Sequence, residues 1–236
     1  MGAEPLRELW TPTIRLYRLP PVPGGRERRH LVIDPTFDVQ VGASYDDASE
    51  CGNGTFYIDT DSMYVYSRTT PTLSTYRCAG ARWQVDVPQG ATVETAYQEV
   101  YPYNAGYDNP NMDIYAHDVD DAPDFNTNPH IISQTDRPRT TASVPWVADG
   151  IGIDDWKGSS IEIKSIVQEI VDRPGWAANN HLVLLYIART DVTKDLQVRQ
   201  WDYDVHVLGA KLHIEYSGEG PEGPPLSTLR LLGVGR

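Results

Sequence analysis

The sequence lacks any long hydrophobic run and any recognisable export signal. No stretch approaches the roughly 20 consecutive apolar residues that a membrane-spanning helix needs, so membrane insertion is not expected. The first ten residues mix acidic and basic side chains and contain no apolar core of the kind that a secretory signal has. The sequence therefore predicts a protein that assembles inside a cell, or that leaves it by a route without a cleaved signal.

Basic residues are scarce as well. The chain has 20 Lys and Arg against 33 Asp and Glu, which gives a net charge of −13. A chain this acidic is poorly matched to a phosphate backbone, so nucleic acid is not an expected partner. Apolar residues still make up 40% of the 236 residues, enough to form a hydrophobic core, and this excludes a wholly disordered protein.

Cysteine is limited to Cys51 and Cys78, and the sequence has no Cys-x-x-Cys motif. Two isolated thiols do not make a zinc site without histidine partners at suitable spacing. Two alternatives remain at this point: a single disulfide between Cys51 and Cys78, or two reduced thiols.

Motifs of catalysis are absent too. The sequence has no Gly-x-Ser-x-Gly elbow, no phosphate-binding glycine loop and no His-Glu-x-x-His, and its six histidines are scattered. We therefore expect a protein that is not an enzyme, with histidines that are structural or solvent-exposed.

What the sequence does contain is a series of short β-strand patterns. Trp83, Val85 and Val87 alternate with polar residues, as in a half-buried strand, and residues 211–216 alternate in the same way. Residues 181–188 are almost wholly apolar, which is typical of a strand buried on both faces.

One helix interrupts the strands. Apolar residues form a single stripe at helical spacing, and Ser159 and Glu162 have the spacing of a capping box. We predict an amphipathic surface helix at about 160–172 within an all-β, jelly-roll-like β-sandwich. The residues of the apolar stripe are Ile163, Ile166, Val167, Ile170 and Val171.

Both ends of the chain are expected to be arms outside the sandwich. Residues 1–30 carry six Arg against three Glu and end in a Pro/Gly-rich hinge, and residues 217–236 begin with a Gly/Pro-rich linker. The predicted division is an arm over 1–30, a sandwich over 31–216, and a linker with an apolar tail over 217–236. The residues expected to make assembly contacts are Trp10, Ile14, Leu16, Tyr17, Leu229, Leu231 and Leu232.

Residues 104–136 hold seven Asp and no Glu, Lys or Arg. Carboxylates and carbonyl oxygens are what Ca²⁺ binds, although the spacing is not that of an EF-hand. The alternative is a solvated acidic loop with Asx-turns. No cofactor other than this calcium is expected. The candidate ligands are Asp118, Asp120, Asp121 and Asp124.

The sequence is rich in Tyr and Trp, with 14 and 6 against 3 Phe. Exposed rings of this kind can stack on sugars, or can pack across strands and at subunit contacts. The candidates for a glycan platform are Tyr101, Tyr103, Tyr107, Trp201 and Tyr203.

Five segments carry a resemblance to known modules: residues 87–97, 137–146, 166–176, 180–187 and 210–216. The most specific is the helix followed by the sequence RPGW (173–176) and a strand. In order and spacing these segments resemble the DNRLRE-like, or carbohydrate-binding-like, β-sandwich modules of phage virions and bacterial surface proteins. The resemblance implies a jelly-roll-like sandwich that is usually not catalytic.

The resemblance, the missing signal and the apolar ends together predict a structural protein of a bacteriophage particle, in the tail or on the capsid surface. It would form a homo-oligomer through exchanged arms, contact other virion proteins, and be assembled in the host cytoplasm. One alternative is an adhesin domain that binds host-surface glycans. Another is a subunit of an extracellular filament.

Overall fold

The computed structural model describes residues 13–18, 29–64, 77–103, 111–147, 152–189, 196–203 and 205–217. For residues 13–18 and 29–34 it describes the backbone. The described chain is built almost entirely of antiparallel strands. They are β1 (Thr13–Arg18), β2 (Arg29–Asp34), β3 (Thr36–Gln40), β4 (Asp47–Cys51), β5 (Phe56–Ile58), β6 (Ser62–Tyr64), β7 (Arg77–Val85), β8 (Thr92–Glu99), β9 (Asn111–Ala116), β10 (Val144–Val147), β11 (Asn180–Ala188), β12 (Gln197–Arg199) and β13 (Lys211–Ser217).

Two sheets form the body of the molecule. The larger has six strands in the order β10-β9-β11-β7-β4-β5, and the smaller has three in the order β3-β13-β8. Their inner faces meet in one hydrophobic core, and the Trp83 indole N–H donates across it to the carbonyl oxygen of Ala210 at 3.1 Å. The predicted all-β sandwich is therefore confirmed. The described part of the chain contains no helix long and apolar enough to cross a membrane.

Strand β11 is buried on both faces, as its apolar sequence predicts. Residues 182–188 are all buried. The small sheet covers one face of the large sheet, and the segment between β9 and β10 covers the other. In that segment Phe125 lies so close to Gly80 of β7 that a Cβ atom at Gly80 would be 2.5 Å from the Phe125 ring. The acidic region thus forms a covering layer of the fold, with Ala122, Phe125 and Ile131 buried beneath it.

The helix, α1 (Lys164–Val171), is shorter than the 160–172 expected from sequence. Its apolar stripe is buried as predicted, but the capping box does not form. Residue Ile163 occupies the N-cap position, and the Glu162 carboxylate instead accepts hydrogen bonds from the backbone N–H groups of Lys164 and Ala96, each at 2.9 Å.

The helix segment also closes one edge of the small sheet. Glu162 accepts from Ala96 of β8, and the Gln168 side-chain oxygen accepts from the N–H of Val93 at 2.7 Å. These bonds satisfy backbone donors that an open edge strand would leave to other chains.

Part of the predicted N-terminal arm pairs with the adjoining segment of the same chain. Strand β1 pairs with β2 of the same chain in a two-stranded antiparallel ribbon, which we call the N-terminal ribbon. It continues into β3 after one residue, Pro35. Ile14, Leu16 and Tyr17 therefore lie in a ribbon, whereas Trp10, Leu229, Leu231 and Leu232 lie outside the described residues.

The two cysteines are buried as thiols, and no disulfide joins them. Cys51 stands opposite Arg77 in the register of β4 and β7, and Cys78 stands opposite Glu50. Because neighbouring residues of a strand face opposite sides of the sheet, this register places the two cysteines on opposite faces. Of the two alternatives left open by the sequence, the structure therefore has two reduced thiols and not a disulfide.

Candidate functional site

The small sheet carries an open groove of about 300 Å³ on its outer face. Leu212 and Ile214 of the central strand β13 point into the core, so the alternating residues Lys211, His213 and Glu215 point outward. The polar lining of the groove consists of Asp38, Gln40, Tyr97, Glu99, Lys211 and His213.

The pairing register explains why these side chains converge. His213 of β13 stands opposite Asp38 of β3 on one side and Tyr97 of β8 on the other. Lys211 likewise stands between Gln40 and Glu99. Directly opposite residues share a face and lie within side-chain reach, so the groove is assembled from two cross-strand rows.

His213 is the centre of the groove. Its Nδ1 atom lies 2.7 Å from Asp38 Oδ1, and its Nε2 atom lies 3.8 Å from Glu215 Oε1. Its ring stacks on that of Tyr97, with centroids 4.4 Å apart and planes at 18°. The imidazole is thereby held by two carboxylates and one aromatic face.

The electrostatic character of the groove is negative. The pKa of Tyr97 is raised, first by partial burial of the phenol and then by the carboxylates of Glu99, Asp38 and Glu215. Three negative charges therefore act at the position of one ring. No described residue donates a hydrogen bond to the Glu99 carboxylate, so it is open to a partner.

The one lysine of the groove lies toward its rim. The Lys211 ammonium is 3.7 Å from the centroid of the Trp156 ring, in a cation–π contact. Trp156 in turn meets Tyr101 edge to face, with centroids 5.5 Å apart. This contact draws the lysine charge away from the row of His213 and Asp38.

The structure brings four of the five predicted glycan-platform residues to one region. Residue Tyr101 accepts a backbone bond from Arg199, and the Arg199 guanidinium lies 3.8 Å from the Tyr103 ring centroid and 3.5 Å from that of Tyr203. Trp201 stacks on His206 at 4.7 Å. Each of these rings therefore already has a partner in the protein. Tyr107 lies outside the described residues.

A buried carboxyl that the sequence did not single out positions this ring cluster. Asp47 is fully buried and accepts hydrogen bonds from the Gln200 side chain at 3.2 Å and from the backbone N–H of Trp201 at 2.9 Å. Burial raises its pKa well above the usual range. Asp47 thus fastens the turn that carries Trp201 to strand β4.

The four aspartates of the predicted calcium site do not converge. Asp118 and Asp120 both bind Arg173, which follows the helix, with 2.7 Å from Arg173 Nε to Asp120 Oδ1. Asp121 binds the ring and the backbone N–H of His181, and Asp124 accepts from the N–H of Thr127. Within the described residues no three His, Cys, Asp or Glu side chains are placed to hold a metal ion.

Sequence reasoning also missed the centre of the acidic segment, Arg137. The guanidinium is fully buried and donates to the carbonyl oxygens of Pro123, Asp124 and Asn128 at 2.7 to 3.2 Å, while Nη1 lies 3.0 Å from His117 Nδ1. Burial lowers its pKa to about 10, so it stays positively charged at neutral pH. The signal was present, because Arg137 is the first Lys or Arg after a stretch of 54 residues without one.

Comparison with known proteins adds no family to these observations. No protein-family model matches the sequence, and no curated protein shows significant similarity to it. The groove, the ring cluster and the N-terminal ribbon are therefore interpreted from their own geometry.

Proposed function

We propose that this chain is a non-enzymatic structural protein of a bacteriophage particle, in the tail or on the capsid surface, and that it assembles with copies of itself. The N-terminal ribbon is the observation that supports self-assembly. It consists of two strands and belongs to neither larger sheet. An isolated two-stranded ribbon is marginally stable in water, so it needs a surface to pack against.

The register of the ribbon supports an apolar contact. Ile14 stands opposite Ile33 and Leu16 stands opposite Leu31. Residues that are directly opposite, and residues two apart on one strand, share a face. The ribbon therefore has one aliphatic face, and burying it against a second copy removes this apolar surface from water. The motif resemblance supports placing such an assembly in a virion.

Deletion of residues 1–25 tests the proposal, because it removes β1 and leaves the sandwich strands intact. We expect a folded protein with reduced assembly, measured by light scattering for mass and by circular dichroism for fold. Unchanged assembly would contradict the proposal.

A matched pair of variants locates the contact. Leu16→Ser with Leu31→Ser changes the aliphatic face, whereas Tyr17→Ser with Val32→Ser changes the opposite face of the same ribbon. The first pair should reduce assembly more than the second. Equal effects would show that the aliphatic face is not the contact surface.

The ring cluster favours a second function, glycan binding. Tyr103, Tyr203 and Trp201 lie together around Arg199 and are half-buried, so each ring keeps some surface for a sugar. A glycan array tests it: Trp201→Ala or Tyr103→Ala should abolish any binding, and Tyr45→Ala, an exposed tyrosine outside the cluster, should not. If the unaltered protein binds no glycan on the array, this function is contradicted.

A further inference from the structure

We infer that the groove on the small sheet receives the N-terminal ribbon of a second copy of this chain, with Arg18 and Arg29 of that ribbon bound by the groove carboxylates. The inference rests on the proposed self-assembly and identifies the surface that it uses.

The N-terminal arm and the groove are complementary in charge. Residues 1–30 have a net charge of +3, whereas the whole chain has −13. In the groove, the carboxylates of Asp38, Glu99 and Glu215 act together on the Tyr97 ring, and Lys211 is held at the rim by Trp156. Opposite charges on two surfaces favour their encounter and fix their orientation.

The ribbon carries two arginines at the end farthest from β3. Arg18 and Arg29 stand directly opposite each other in the register of β1 and β2. Like charges in that position destabilise a strand pair. An acidic surface at this end of the ribbon would offset this repulsion.

The chemistry of the groove also fits a guanidinium. Arginine binds carboxylates through two parallel N–H donors and stacks on aromatic rings. The groove offers Glu99, whose carboxylate accepts no hydrogen bond from the described residues, beside the ring of Tyr97. A lysine ammonium would interact with the carboxylate alone, whereas an arginine guanidinium can bind the carboxylate and also stack on the tyrosine ring.

The connection between the strands points to a second copy as the source of the ribbon. Strand β2 ends at Asp34 and β3 begins at Thr36, so Pro35 alone separates them. A residue before proline is restricted to extended conformations, and even the tightest common hairpins reverse the chain over about two residues. The one-residue connection is therefore too short for a hairpin that would lay the ribbon back along β3 over the groove of its own chain.

Charge reversal with complementation tests the inference, using the full chain and sedimentation velocity over a concentration series. Glu99→Lys alone, and Arg18→Glu with Arg29→Glu, should each weaken self-association by about tenfold or more. Combining the groove and ribbon changes in one chain should restore most of the loss. Asp61→Lys makes the same charge change at an exposed turn and should have little effect.

The outcomes separate this inference from the proposed function. If deletion of residues 1–25 reduces assembly but Glu99→Lys does not, self-assembly stands and this docking site is wrong. If the combined variant assembles no better than either parent, the docking site is also wrong. If the deletion leaves assembly unchanged, both are wrong. Association of the unaltered protein should weaken with added salt, because screening shortens the Debye length from about 10 Å at 0.1 M to about 3 Å at 1 M.

Discussion

The acidic segment between β9 and β10 and the groove on the small sheet are both rich in carboxylates, but they use them differently. In the segment, Asp118 and Asp120 bind Arg173, and Asp121 binds His181. In the groove, Asp38 and Glu215 hold His213, while Glu99 accepts no hydrogen bond from the described residues. The first set of carboxylates fastens parts of one chain to each other, whereas the second holds one histidine and leaves Glu99 without a donor among the described residues.

The difference shows that acidity alone does not locate a binding surface. The segment was the most acidic part of the sequence and therefore the obvious place for a cation, yet its charges are satisfied by basic side chains and backbone donors from the same chain. In the groove, each of three strands that are distant in sequence contributes one acidic residue. We therefore expect changes in the segment to alter stability, and changes in the groove to alter association.

The largest effect is expected from Arg137→Met. The change removes the donor for three backbone carbonyl groups and for His117 beneath the segment, and leaves these acceptors buried. Breaking a buried charged network of this kind costs about 3–5 kcal/mol. Urea unfolding followed by tryptophan fluorescence measures it. As a control, Lys157→Met removes a partly exposed basic residue that binds Asp155 and should cost below about 1 kcal/mol.

A smaller loss of stability is expected when the pH is lowered. The pKa of His117 is lowered to about 4, first by burial and then by Arg137 and Arg173. Its pKa is about 6.5 in an unfolded chain. Between about pH 6.5 and 4, His117 is therefore protonated in the unfolded state and neutral in the folded state. The free energy of unfolding should therefore fall with falling pH in this window, by up to about 1.4 kcal/mol per pH unit.

His117→Asn isolates this contribution, because an amide oxygen can take the place of Nδ1 as the acceptor for Arg137. Unfolding free energies measured at several pH values should fall less steeply for the variant than for the unaltered protein. Identical slopes would show that His117 does not titrate differently in the two states.

The strands and the helix could be predicted because their signals are local. Residues 181–188 are apolar throughout and form a strand buried on both faces, and residues 166–171 bury their apolar stripe. The role of the acidic segment could not be predicted, because it depends on partners about 50 residues away. Asp120 and Asp118 meet Arg173 only after the helix has docked on the sandwich.

The candidate site was predictable only in part. The alternation of residues 211–216 predicts that His213 lies on the polar face of its strand, and the structure confirms that position. It could not show that Asp38 and Tyr97 are the neighbours of His213, because strand order and register decide which residues lie opposite each other. Nor could it show that the Arg199 guanidinium lies against the rings of Tyr103 and Tyr203.

A moderate effect is expected where the segment meets the turn after the helix. A Cβ atom at Gly175 would overlap Asp120 Oδ2, so Gly175→Ala forces the carboxylate away from Arg173. The Asp120 side chain is 45% exposed and can rotate, so the expected cost is mainly that of the lost Arg173 contact, about 0.5–1 kcal/mol. In an Asp120→Ala background the same glycine change should cost much less, because the carboxylate is gone. Equal costs in both backgrounds, measured by urea unfolding, would refute the close approach.

The smallest effect on stability is expected from Glu99→Gln in the groove. The substitution keeps the size of the side chain and removes a charge to which no described residue donates a hydrogen bond. Surface changes away from such contacts usually alter the free energy of unfolding by no more than about 0.5 kcal/mol. If urea unfolding instead shows a loss comparable to that of Gly175→Ala, Glu99 has a structural partner, and the contrast between a satisfied segment and an outward-facing groove fails. A change in self-association without a change in unfolding is the result that this contrast requires.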